Sequence, residues 1–222
     1  MNIVTIGLGN FGASLAKILT SLGHDVLGVD SDLGRVEYFK DAVANTICLD
    51  ATDAHALRLL PLKEADVFVV CIGDDFGISV QIAALLKKFG VARIICRESS
   101  SIHLTVLNAI GIKETVNPEY ELAKIFAQKL PLIGIQNMFS ITESFKIIDT
   151  FMPTSLIGKK YSPVNFQKEM HLKIIALKRS HRIVYSSAQG AEDEDKNEIE
   201  FRENDTLVMV GELRDIKRFI QG

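Results

Sequence analysis

The chain has 222 residues, 47% apolar and 24% charged, with a formal net charge of −3, so it can bury a substantial core. Its lysines and arginines cluster no more densely than pairs such as Lys87-Lys88 and Lys159-Lys160. With the negative net charge this argues against nonspecific nucleic-acid binding, which needs a clustered cationic surface, and no stretch reaches the roughly 18 consecutive apolar residues of a membrane-spanning helix.

In chain order, Ile3–Ile6 is a short apolar run that breaks into Gly7-Leu8-Gly9-Asn10-Phe11-Gly12, then into a helix-period segment from Ala13 to Leu22. At this spacing Gly7 permits a tight turn, Gly9 admits a pyrophosphate against bare backbone, and Gly12 lets helix and strand pack closely. The unpaired N–H groups and positive dipole end of the helix then face the phosphates. A second apolar run, Val26–Val29, closes on Asp30, about 20 residues past the glycines, where a carboxylate accepts hydrogen bonds from ribose hydroxyls. The stretch reads as an adenine-nucleotide site.

Strand and helix patterns continue to alternate. Leu33–Lys40 is expected to be helical, Thr46–Leu49 a strand, and Asp53–Leu60 a helix stopped by Pro61. Val67–Ile72 is the continuous apolar run of a strand buried on both faces. Ile78–Phe89 is an amphipathic helix closed by Gly90, Arg93–Arg97 a strand, Ile102–Ile110 a helix closed by Gly111, and Glu114–Val116 a last short strand. Asn117-Pro118-Glu119 then starts a helix running to about Leu130, with Asn as cap, Pro at the first position and Glu in the first turn. Such alternation implies right-handed crossovers and an α/β, Rossmann-like, doubly wound parallel sheet. Residues 132–139 look like a crossover or linker.

From Ser144 the segments are shorter: strands are expected at Phe145–Ile148, Leu172–Lys178, Ile183–Val184 and Thr206–Gly211, with short helices near Leu156–Lys159 and Asp215–Ile220. This half reads as a small α+β domain, giving domains over 1–134 and 140–222. The acidic run Glu192-Asp193-Glu194-Asp195 reads as a solvated loop. Cys48, Cys71 and Cys96 fall singly in apolar strand patterns and suit a reducing compartment. Met1 leads straight into a strand, so no secretory leader is expected.

The glycine segment, followed by Gly23-His24-Asp25-Val26 and Val29-Asp30, resembles the RCK (KTN) domain of bacterial potassium-transport regulators. Asp50-Ala51-Thr52-Asp53 resembles that family's Asp-(Gly/Ala)-Thr turn, and Cys71-Ile72-Gly73-Asp74-Asp75-Phe76 its Ile-Gly-Asp-Asp stretch. Gly111 with Asn117-Pro118-Glu119 resembles its closing segment, and Phe145 to Phe219 its C-terminal (TrkA-C) domain, through Thr206–Gly211 and Asp215–Phe219. The resemblance implies a cytoplasmic regulatory subunit, not an enzyme, lying at the inner face of the cell membrane. It implies a homo-oligomeric ring, octameric in the single-unit type, beneath a Ktr- or Trk-type potassium translocation subunit, with nucleotide exchange reshaping the ring.

Carried over residue by residue, the resemblance implies a nucleotide site of Gly7, Gly9, Asn10, Phe11, Gly12, Asp30, Asp50, Ala51, Thr52, Gly73 and Asp74. Relatives often carry arginine at position 10; Asn10 offers no charge, and Arg97 and Arg35 are the substitutes available. The ligand is left open between ATP/ADP and NAD(H), while Asp30 disfavours NADP, whose 2′-phosphate would face a carboxylate. The resemblance also implies a divalent cation, Mg²⁺ or Ca²⁺, held by Glu119 at a dimer interface. Cyclic di-AMP in the C-terminal domain, near Ile174, Ile175 and Ala176, is a further implied ligand; a strand of that composition otherwise reads as core. The alternative function is an NAD-dependent oxidoreductase. For that reading Tyr120 and Lys124 have the spacing of a short-chain dehydrogenase pair, but the upstream serine is missing.

Overall fold

The strand-length apolar runs become β1 (Asn2–Ile6), β2 (Asp25–Asp30), β3 (Asn45–Cys48), β4 (Val67–Val70), β5 (Ile94–Arg97) and β6 (Glu114–Val116). Between them lie α1 (Asn10–Ser21), α2 (Leu33–Phe39), α3 (Ala54–Leu57), α4 (Phe76–Lys88) and α5 (Ser101–Ala109), with α6 (Pro118–Lys129) following. A computed structural model describes residues 1–180, 182–187 and 198–221. It divides the chain into two units, Met1–Glu121 and Leu122–Gly222, the division falling within α6.

In the first unit the strands pair in parallel in the order β3-β2-β1-β4-β5-β6. The order reverses between β1 and β4, which opens a crevice at the carboxyl ends of those strands. All four residues of β4 are buried, as a strand covered on both faces requires. Local chemistry sets the helix ends: Asp32, Asp75 and Ser100 accept backbone N–H bonds at the starts of α2, α4 and α5. Gly90 and Gly111, at φ +78° and +84°, close α4 and α5. Helix α3 ends at Leu57, short of the expected Leu60. There Leu59 N bonds Ala56 O and Leu60 N bonds Leu57 O, a tighter winding that buries Leu57 and Leu60 in one core cluster.

The second unit is built on β7 (Ile135–Ser140), β8 (Phe145–Phe151), β9 (Lys160–Tyr161), α7 (Pro163–Met170), β10 (Lys173–Arg179), β11 (Arg182–Ser186), β12 (Ile199–Glu200), β13 (Thr206–Glu212) and α8 (Leu213–Gln221). Five strands pair antiparallel in the order β11-β10-β13-β8-β7, and β9 pairs with β12. Strand β7 occupies the segment expected to be a linker. Gly134, at φ +88°, leads the chain from α6 into β7, and pairing with β8 makes a strand of a run with little alternation of its own. Helix α7 was not expected either, although Ser162 caps it through Asn165 N and Pro163 fills its first turn. The helix expected near Leu156–Lys159 is instead a 3-10 turn at Thr154–Leu156. The acidic run 192–195 lies outside the described residues.

Phe166 centres the second core, fully buried and in edge contact with Tyr161, Phe201 and Phe219. Phe166→Ala is expected to cost about 3–5 kcal/mol, the range for emptying a buried aromatic site. Urea unfolding of the variant against the unmodified chain measures the loss.

Candidate functional site

The carboxyl ends of β1 and β2 are tied together by main-chain and carboxylate bonds. Gly7 stands at φ +98° and donates its N–H to Val29 O at 2.7 Å. A side chain at Gly7 would be strained in that conformation and would meet Ile72 Cδ1 at 2.7 Å. The next amide, Leu8 N, donates to Asp30 Oδ2 at 2.6 Å, and Asp32 N donates to Asp30 Oδ1 at 2.9 Å. Arg35 Nη1 stands 3.5 Å from Asp30 Oδ2. Asp30 is only 5% exposed, and these partners offset the cost of holding a carboxylate out of water. A carboxylate accepts about four hydrogen bonds, so Asp30 keeps acceptor capacity for a ligand.

Helix α1 opens on Gly9, whose missing side chain leaves the first-turn N–H groups without a side-chain cap. A Cβ on Gly9 would meet nothing within 4 Å, whereas one on Gly12 would lie 1.9 Å from Gly7 O and 2.9 Å from Cys71 Cβ. The space beside Gly9 is therefore open, and Gly12 is a packing residue.

Two adjoining cavities meet at Gly7, Arg35 and Ile72. The larger, about 300 Å³, is lined by Gly7, Gly9, Asn10, Phe11, Gly73, Asp74, Arg97 and Glu119, with Cys71 and Asp75. The smaller, about 140 Å³, is lined by Asp30, Ser31, Leu49, Asp50, Ala51 and Thr52, with Ile78 and Ile82 from α4. Every expected nucleotide residue except Gly12 lines one of the two. The apolar wall of Leu49, Ile72, Ile78 and Ile82 was not singled out in the sequence; Ile78 and Ile82, one turn apart on α4, were its legible signal.

Asp50 Oδ1 accepts from both Thr52 N and Thr52 Oγ1, at 2.9 and 2.7 Å. The Thr52 hydroxyl and amide hold its carboxyl below the usual carboxylate range. Asp53, not Asp50, caps α3. Arg97, at the end of β5, lies across Gly73, where a Cβ would fall 2.3 Å from its Cζ, so only glycine admits the guanidinium there. The guanidinium also stands 5.9 Å from the centroid of the Phe11 ring and donates to Glu119 Oε1 through Nη2.

That pairing bears on the expected cation. Hard cations take several oxygen ligands, and among the described residues no group of three or more His, Cys, Asp or Glu side chains could hold a metal ion. Glu119 alone, with a guanidinium against it, does not compose a cation site within one chain.

Cys71 and Cys96 are buried, and burial pushes both thiols up to about 12, which leaves them poor nucleophiles. Cys48 is exposed rather than in the core. Tyr120 is exposed on α6 and lines neither cavity. Ile174 is buried in the second core, as the packing reading of its strand requires.

The sequence matches the TrkA-N domain model over residues 3–118. It is 27% identical to the Ktr system potassium uptake protein C of Bacillus subtilis, over 96% of this chain and 93% of that one. It is 30% identical to a Trk system potassium uptake protein TrkA homolog of Methanothermobacter thermautotrophicus, over 74% of this chain and 77% of that one. Among solved structures, the RCK domain of GsuK covers all of this chain at a TM-score of 0.62 and 17% identity. The GsuK channel bound to NAD does so at 0.59 and 16%. This chain spans 48% and 39% of those two chains, and at such identity they establish the fold.

Gly9→Ala is expected to leave stability within about 0.5 kcal/mol, while Gly12→Ala loses at least about 1–3 kcal/mol through overpacking. Paired urea-unfolding curves distinguish the two glycines.

Proposed function

The chain belongs to the TrkA-N domain family, and from that premise we propose that it is the nucleotide-binding regulatory subunit of a Ktr/Trk-type potassium uptake system. Its partner is a membrane-embedded translocation subunit, which it meets from the cytoplasmic side as a homo-oligomeric ring, octameric by analogy with single-unit relatives. The observation that carries the reading is the placement of Asp30. One carboxylate braces the glycine loop through Leu8 N and also lines the cavity beside Asp50 and Thr52, where an adenosine ribose fits between base pocket and phosphate loop.

In this reading the phosphates lie on the Gly9–Phe11 amides at the start of α1, the ribose on Asp30, and the adenine between Ala51, Thr52 and the α4 isoleucines. ATP, ADP and NAD(H) all present the unmodified ribose that Asp30 requires; NAD in the solved GsuK channel, a neighbour of the same fold, supports such a ligand. The bound nucleotide shifts the ring between shapes by its differential affinity for them. No turnover is proposed. A dehydrogenase needs an acid/base pair facing its cofactor, and exposed Tyr120 lies off both cavities.

Calorimetric titration with ATP, ADP, NADH and NADPH tests this. At least one of the first three is expected to bind, with NADPH the weakest. Asp30→Ala is expected to weaken binding by about ten- to a hundredfold, the loss of hydrogen bonds to a charged group, with the fold confirmed by circular dichroism. No binding by the unmodified chain, or full affinity in Asp30→Ala, contradicts the proposal.

A further inference from the structure

We infer that Glu119 is a built-in competitor for the phosphate site: it holds Arg97 at rest, and an incoming phosphate takes Arg97 from it. This rests on the nucleotide reading above and adds a residue that sets affinity and selectivity. Three observations meet here. Arg97 is a mostly buried cation, 17% exposed, on the wall that also holds Gly9 and Asn10. Its charge is met by Glu119, itself 63% exposed, a carboxylate that water readily receives when the pair opens. Its Nε is buried without a hydrogen-bond partner, so the guanidinium is under-satisfied at rest and has a donor to offer an oxyanion.

The residues around it favour an exchange over a fixed strut. Asn10 brings no charge to the α1 end of the cavity, and Arg35 is engaged by Asp30 and Asp32, so Arg97 is the cation with a partner it can leave. A phosphate presents pairs of charged oxygens that the planar guanidinium fork can grip two at a time, whereas Glu119 is a solvent-exposed partner of small net worth. Gly73 leaves the guanidinium a flat bed and Phe11 an aromatic face, so the charge can swing without losing all its contacts. Glu119 stands in the first turn of α6, a helix that runs on past the division between the two units. Phosphate occupancy and the start of that helix are thereby made to compete for one side chain.

The test is titration of ADP and of adenosine in divalent-free buffer, against the unmodified chain, Glu119→Gln, Arg97→Ala and the double variant. Removing the competitor is expected to tighten ADP about three- to fivefold, the scale of a partly exposed ion pair, while adenosine, lacking phosphate, binds unchanged. Arg97→Ala is expected to weaken ADP and not adenosine, and Glu119→Gln is expected to have no effect in the Arg97→Ala background. Weaker or unchanged ADP binding in Glu119→Gln overturns the inference, as does an equal change for adenosine. If the unmodified chain binds neither ligand, the nucleotide reading fails instead, so the two failures are distinguishable.

Discussion

The hydrogen bond from Leu8 N to Asp30 is the interaction on which the rest of the site depends. It joins the loop after β1 to the end of β2, and with Gly7 N to Val29 O it fixes the turn from which α1 departs. Backbone N–H groups placed this way form an anion site at little reorganisation cost, because the chain has already been ordered in folding. The same carboxylate faces the second cavity. In the proposed reading the carboxylate that holds the glycine loop also meets the ribose, so that the two ends of a nucleotide would be registered through one buried side chain.

Charge is distributed unevenly around that centre. Arg35 and Arg97 both stand in the phosphate cavity, and each is engaged by a carboxylate, Asp30 or Glu119. Asp74 and Asp75 add negative charge on the same wall. In the proposed reading an anion that is to engage either guanidinium in full competes with the carboxylate already paired to it. Charge-assisted bonds are roughly twice as strong as neutral ones, so in the proposed reading the arginines rather than Asn10 carry recognition of the outer phosphates.

Much of this was legible in the sequence because local rules and global fold agree there. The glycine spacing, the caps at Asp32 and Asp75 and the closing glycines after α4 and α5 each act within a few residues, and the buried run at β4 allows little but a central parallel strand. The glycine spacing and the acid at the end of the second strand made Gly7, Gly9 and Asp30 readable as one site, whereas Thr52 joined it only through the family resemblance. What escaped depends on distant partners. The Arg97–Glu119 pair joins residues 22 apart, and the reading of Glu119 as a cation ligand gave no weight to a neighbouring strand's arginine. Strand β7 exists through pairing with β8; its own residues do not alternate cleanly. The one-turn α3 reflects burial of Leu60, which draws the chain out of helical winding. Helix α7 is the exception: its Ser-Pro start was local and visible, but the helix is only eight residues long and offers a short pattern to read.

The most direct test of the account is the amide nitrogen–hydrogen correlation spectrum of the isotope-labelled chain, recorded with and without ADP. If the glycine loop cradles the phosphates, the largest shifts fall on the amides of Gly9, Asn10 and Phe11, with Leu8 and Thr52 next. Unmoved loop amides alongside saturable shifts in the second unit would place the ligand elsewhere and contradict the account at its centre.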